Sequence, residues 1–259
     1  MLKKKSLIRH IPNTITCLNL FCGCLSIVSS FEGRLITAAY FILVAAVFDF
    51  FDGFAARWLR AYSPIGKELD SLADLVSFGV APASIMYTLL LPAVENYGLQ
   101  VNAYSYGWWV AVLAFVIVVF SALRLAKFNI DTRQTDSFIG LPTPANASFI
   151  CSLAFVSSVG NQQMMFSVKL SFLSTFADNM FFLLAITLIF SYLLVAEFPL
   201  FSLKFKSFDW KNNKIKYIFV LISALFLILF QWAGLALVIL LYIFLSIFNC
   251  ILHKDDVST

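Results

Sequence analysis

Apolar runs long enough to cross a bilayer recur along the whole chain, and no other feature restricts its fold as strongly. A membrane-spanning helix needs roughly 20 mostly apolar residues. Such runs cover about 12–31, 35–60, 68–92, 107–128, 142–160, 178–200, 215–231 and 233–252. The last third of the second turns polar, and the last two are separated only by Gln231–Trp232, the pattern of a tight helical hairpin. Of 259 residues, 61% are hydrophobic and 12% charged, and Phe alone contributes 29. An ordinary soluble domain is about half apolar and about a quarter charged. A soluble globular protein, a disordered chain and a nucleic-acid binder are therefore excluded. The expectation is an all-α, polytopic integral membrane protein with about eight transmembrane helices. No repeat or low-complexity tract is seen.

Basic residues gather on the cytoplasmic side of membrane proteins. With the N-terminus inside and eight spans, the cytoplasmic segments hold Lys3, Lys4, Lys5 and Arg9, then Arg57, Arg60 and Lys67, then Arg124, Lys127 and Arg133. Lys204, Lys206, Lys211, Lys214, Lys216 and Lys254 complete the set. Of the 18 basic residues only Arg34 and Lys169 fall outside. Both termini are expected to be cytoplasmic, with nearly uncharged outer loops around 92–106 and 161–177. The first run continues past Ser30 without a small-x-small cleavage site, and Asn13, Thr16 and Asn19 suit a working helix better than a discarded leader. The five cysteines show no zinc spacing and read as apolar core residues or free thiols. His10 and His253, near the chain ends, read as ordinary solvated residues.

Four acids stand where membrane helices should not carry them: Asp49, Asp52, Asp70 and Asp74. A carboxylate near the hydrocarbon is costly unless paired, so an intramembrane acid is a functional-site hypothesis by default. Asp49 and Asp52 are three apart, and Asp70 and Asp74 four apart, so each pair shares a helix face. Gly53 and Ala56 keep the first face smooth enough for a ligand to approach the backbone. The segment Ala61 to Gly66, with Pro64, reads as the turn between two antiparallel helices. Four converging carboxylates match two divalent cations, and an oxygen-only set suits Mg²⁺, Mn²⁺ or Ca²⁺. Two such ions form the usual clamp for in-line displacement at phosphorus. The competing reading is salt bridging to Arg57, Arg60 and Lys67.

The pattern Asp49-x2-Asp52-Gly53-x2-Ala56-Arg57-x8-Gly66-x3-Asp70-x3-Asp74 resembles the complete signature of the CDP-alcohol phosphatidyltransferases, with no departure at its eight fixed positions. The resemblance implies transfer of a phosphatidyl group from a CDP-linked lipid to an alcohol, with release of CMP. It implies that Asp49, Asp52, Asp70 and Asp74 hold two metal ions, Mg or Mn with Ca as a third option. It implies that Asp74 is also the base toward the acceptor hydroxyl, and that the protein is a homodimer. Gly53, Ala56, Arg57 and Gly66 are then expected at the CDP-lipid, with Asn13 and Thr16 binding the nucleotide head or bracing the metal helix.

Three flanks narrow the acceptor. Ile11 to Gly23, Arg124 to Asn129, and Phe138 to Ala145 resemble the membrane-integrated phosphatidylserine synthases. The implied substrates are CDP-diacylglycerol and L-serine, met at the cytoplasmic face of the cell (inner) membrane. Arg124, Lys127 and Asn129 are the candidate serine-binding residues. Arg124 can hold a carboxylate bidentately, and all three have bland alternatives as topology anchors or a helix cap. Pro142 and Pro144 are expected to break and start helices around the pocket. The chain reads as one transmembrane catalytic domain over 1–259, with the signature at 49–74, the flanks at 11–23 and 124–145, and an accessory basic loop and last two helices at 201–259. Another acceptor alcohol, archaetidylserine synthesis and, more remotely, cation transport remain as alternatives.

Overall fold

A computed structural model describes residues 2–131, 138–159, 175–197, 199–200 and 209–253. Helix α1 spans Leu2–Phe31 and α2 spans Leu35–Trp58. The turn between them uses Gly33 at φ +74°, a left-handed conformation glycine adopts without strain. The two helices pack closely along their length because small residues face each other: Ala38, Ala39 and Ala45 of α2 are fully buried. Small residues allow such close approach between membrane helices. The Ser26 hydroxyl donates to the Ala38 carbonyl at 2.9 Å and joins the pair directly.

Helix α3 (Pro64–Leu75) begins with Ser63 as its N-cap, whose hydroxyl accepts from the Gly66 amide at 3.0 Å, and with Pro64 in its first turn. Pro64 and Gly66 therefore open the helix, and the linker is shorter than the turn expected over 61–66. Both fit there because a first-turn proline lacks only an amide hydrogen that would have no partner. A π-helical turn, Val76–Val80, follows α3 and leads into α4 (Ala81–Asn96). Next come α5 (Tyr106–Val112) and, after a 3-10 turn, α6 (Val116–Ile130). Helices α7 (Thr143–Val159) and α8 (Met180–Val195) follow. Pro142 and Pro144 flank the start of α7, as expected. The last two helices are α9 (Trp210–Phe230) and α10 (Gly234–His253). The chain reverses between these two at Gln231, φ 51°, as the hairpin pattern foretold. A two-residue antiparallel pair, Phe138–Ile139 with Pro199–Leu200, is the only strand pairing among the described residues.

The chain is all-helical in architecture and carries the marks of a membrane protein. Five helical stretches are long and apolar enough to cross a bilayer: His10–Phe31, Leu35–Trp58, Pro64–Asn96, Tyr106–Ile130 and Asn213–Phe248. The last contains the hairpin break, while α7 (17 residues) and α8 (16 residues) are apolar helices close to the roughly 17-residue lower bound of a crossing. Exposed aromatics mark both ends of the bundle, Trp58 and Tyr62 at one and Tyr97, Tyr104, Tyr106 and Trp109 at the other. Amphipathic rings of this kind sit at membrane–water interfaces. The side chains at 3–9, 133, 169, 204, 206, 211 and 254, on which the expected orientation rests, lie outside the described residues, as does most of the outer loop at 161–177.

The core is a seam between α1, α2, α4 and α7. Phe78, Ile42, Ile85, Met86, Leu90 and Ile150 are fully buried there. Polar residues also enter it. The hydroxyls of Ser30 and Thr88 meet at 3.2 Å, and the Cys151 thiol donates to the Ala39 carbonyl at 3.7 Å. All five cysteines are free thiols.

Candidate active site

The site forms where α1 stands between α2 and α3. Both helices pack on α1, so its face is a third wall. Asn13, Thr16 and Asn19 follow one another at three-residue spacing and line that wall. Thr16 and Asn19 are buried. The Asn19 amide donates to the Asp74 carboxylate at 3.4 Å, and the Ser77 hydroxyl, in the π turn, donates to the Asn19 carbonyl at 3.0 Å. A methyl group on Gly23 would lie 2.9 Å from the Ser77 Cα, so glycine is what lets α1 reach the π turn. Asn19 and Ser77 were not among the residues expected to form the site. The polar stripe Asn13-x2-Thr16-x2-Asn19 in an apolar run was the signal that could have found Asn19.

Asp49, Asp70 and Asp74 come together, each offering a carboxylate oxygen within 4.8 Å of the others. Asp52 is not one of these three, but with Asp70 it lines the cavity beside them. Three residues along a helix rotate a side chain by about 60° from its predecessor's direction and four by about 40°. Asp52 turns toward the adjoining cavity, which Asp70 also lines, while Asp70 and Asp74 share one face of α3. It is 5% exposed, its Oδ2 has no protein partner, and neither has the buried Oδ1 of Asp70. None of the four acids forms an ion pair with a Lys or Arg among the described residues, which removes the salt-bridge reading. Buried anionic oxygens without partners are costly, and the all-oxygen donor set suits hard divalent cations. The residues present fit such ions.

The cavity beside the acids has a volume of about 240 Å³. Asn13, Thr16, Asp52, Gly53, Arg57 and Gly66 line it, together with Asp70 and Lys67. The smooth face expected at Gly53 and Ala56 is present: a methyl group on Gly53 would meet nothing within 4 Å, and Ala56 also lines the cavity. Gly66 is different. A methyl group there would lie 2.9 Å from the Asn13 Oδ1, so this glycine lets α3 close onto α1.

The three expected serine-binding residues behave differently. Arg124 is buried, donates from Nε to the Leu141 carbonyl at 2.7 Å, lies over the Phe128 ring and interacts electrostatically with Asp74. The segment before α7 thus holds Arg124 through the Leu141 carbonyl. Lys127 is exposed on α6 and does not line the cavity. The Asn129 amide donates to the Ser71 hydroxyl at 2.8 Å, and its carbonyl accepts from the Lys67 ammonium at 3.2 Å. Asn129 is therefore engaged with α3 through its side-chain amide and its main-chain carbonyl.

The family model described as CDP-alcohol phosphatidyltransferase matches residues 9–174, which contain all of these site residues. The chain belongs to the CDP-alcohol phosphatidyltransferase family. It is 38% identical over 146 residues to the CDP-diacylglycerol--serine O-phosphatidyltransferase of Bacillus subtilis (strain 168), covering 56% of this chain and 76% of that protein. It is 36% identical over 141 residues to the protein of the same name from Helicobacter pylori (strain J99 / ATCC 700824), covering 54% of each. The archaetidylserine synthase of Methanothermobacter thermautotrophicus is 32% identical over 170 residues, covering 64% of this chain and 67% of that protein. The chain thus spans about half the length of the Helicobacter relative and three quarters of the Bacillus one.

Proposed function

We propose that this phosphatidyltransferase moves the phosphatidyl group of CDP-diacylglycerol to the hydroxyl of L-serine and releases CMP. The observation that carries this reading is the group Asp49, Asp70 and Asp74, in no ion pair with a Lys or Arg among the described residues, beside a cavity holding Asp52 and Arg57. Two divalent cations, Mg²⁺ or Mn²⁺, would be held by Asp49, Asp52, Asp70 and Asp74. Bound there, they supply neutralising charge for the transferred phosphoryl group and the departing CMP.

The remaining work falls to the chain. Gly53, Ala56 and Gly66 leave room for the nucleotide end of the lipid, and Asn13 and Thr16 offer it hydrogen bonds. Arg57 offers a cation to its phosphates. Asp74, steadied by Asn19, takes the proton of the acceptor hydroxyl as that oxygen attacks phosphorus in line. Arg124 receives the serine carboxylate from the α6–α7 side, a role its fork suits. No covalent intermediate is required. The relatives' names support serine as acceptor, and the archaeal relative's name supports the same acceptor on a different lipid. The active domain extends over the whole chain, crosses the inner membrane eight times with both termini cytoplasmic, and pairs as a homodimer.

The test offers purified protein CDP-diacylglycerol with serine, glycerol 3-phosphate, inositol phosphate or water and measures CMP. Serine is expected to give the fast release. Release with another alcohol and none with serine would leave only the family assignment standing. Cysteines placed at 206–214 are expected to react only with reagents that enter the cytoplasm, and labelling from outside intact cells would overturn the topology.

A further inference from the structure

A closed ring of hydrogen bonds ties the start of α3 to the end of α6. Lys67 Nζ donates to the main-chain carbonyl of Asn129 at 3.2 Å, the Asn129 side-chain Nδ2 donates to the Ser71 hydroxyl at 2.8 Å, and that hydroxyl donates to the main-chain carbonyl of Lys67 at 3.3 Å. Ser71 meets the main chain of Lys67 one helical turn back and holds the Asn129 side chain, so the end of α6 is docked on α3 with its carbonyl at the lysine ammonium. The ring's outcome is the placement of one ammonium. Lys67 lines the same cavity as Asp52, Asp70 and Arg57.

We propose that Lys67 is a second phosphate-binding cation of this cavity and that Asn129 is its positioning residue. The inference rests on the CDP-lipid reading above. Charge supports it. Four carboxylates balance two divalent cations, and that leaves the two negative charges of a nucleoside diphosphate ester uncompensated. Arg57 and Lys67 line the cavity and supply two positive charges. A lysine ammonium binds phosphate oxygens as a compact point charge with three donors. Lys67 gives one donor to Asn129, which leaves two for phosphate. Its long stem is otherwise free to sample many rotamers, and anchoring the head removes that freedom before the lipid arrives.

The test measures equilibrium binding of CDP-diacylglycerol to the metal-loaded protein without serine, together with the KM for each substrate. Lys67→Met is expected to weaken CDP-lipid binding about 10- to 100-fold, with the KM for serine unchanged. Lys67→Arg is expected to restore most of the binding. Asn129→Ala and Ser71→Ala are expected to weaken it less, and either combined with Lys67→Met should add little, because the ring acts only through the lysine. Using both ring variants keeps the test open if one fails to fold. CDP-lipid binding within twofold of wild type in Lys67→Met would overturn the proposal, as would an Asn129→Ala that raises the KM for serine alone. Wild-type protein that binds no CDP-lipid would instead overturn the underlying functional reading.

Discussion

The stretch Pro64–Asn96 and the C-terminal stretch Asn213–Phe248 are both apolar helical segments, yet they are used in opposite ways. The first has a mean hydropathy of 1.6 in its most apolar window and is 61% buried there. The second reaches 2.6 and is 11% buried. The less apolar segment lies inside the bundle because its polar side chains have work to do against other helices: Asp70 and Asp74, Ser71 toward Asn129, Ser77 toward Asn19, Thr88 toward Ser30. The more apolar one presents Leu221 and Ile228 outward, 73% and 72% exposed, as a lipid-facing surface would. Within a membrane chain, burial follows polar partnership more closely than it follows hydropathy, because lipid tails offer apolar side chains as good an environment as the core does.

Mutations can break or sharpen that contrast. The largest effect is expected in the acid cluster. Asp74→Asn should lower CMP release about 10²–10⁴-fold by loss of the base, with a further loss from the missing ligand charge. Asp49→Asn and Asp70→Asn should each cost more than the roughly 10–100-fold typical of losing an outer partner of a metal site. CMP assays on purified, folded variants check this. The next effect is on stability. Gly23→Val drives a side chain into the Ser77 backbone and should cost about 1–3 kcal/mol by overpacking, read as a lowered thermal midpoint in detergent. Asn19→Ala is expected to reduce turnover about tenfold while leaving CDP-lipid affinity nearly intact, since a hydrogen bond to a charged group contributes about 1.5–3 kcal/mol. A steady-state comparison of kcat and KM decides that case. The smallest effect belongs to the hairpin. Leu221→Ala or Ile228→Ala should change both stability and activity by less than about 0.5 kcal/mol equivalents, as surface substitutions do. A large loss there would mean that the hairpin face is covered in the working protein.

The contrast also shows what the sequence made legible. The acids at three- and four-residue spacing, the helix-breaking prolines before α7 and the reversal at Gln231 are local signals, carried by a few neighbouring residues. Each was readable. The role of α1 was less so. Its polar stripe was visible, but that α2 and α3 both pack on it is a matter of long-range packing, to which no local periodicity speaks. That Asp52 faces the cavity rather than joining the closest three acids depends on helix rotation relative to that third wall. The π turn after Asp74 had no sequence signal, because one extra residue in a helical turn is favoured by the contact between Gly23 and Ser77, some 54 positions apart. The contacts of Asn129 were not readable because the ammonium and hydroxyl that engage it, those of Lys67 and Ser71, are on another helix.

The central claim is that the carboxylate group is a divalent-cation site serving phosphatidyl transfer. The most direct measurement is CMP release from CDP-diacylglycerol and serine by protein stripped of metal, before and after Mn²⁺ or Mg²⁺ is returned. The account predicts no release in excess chelator, recovery when either ion is restored, and no recovery in Asp49→Asn or Asp70→Asn. Full turnover by the wild type in excess chelator would contradict it.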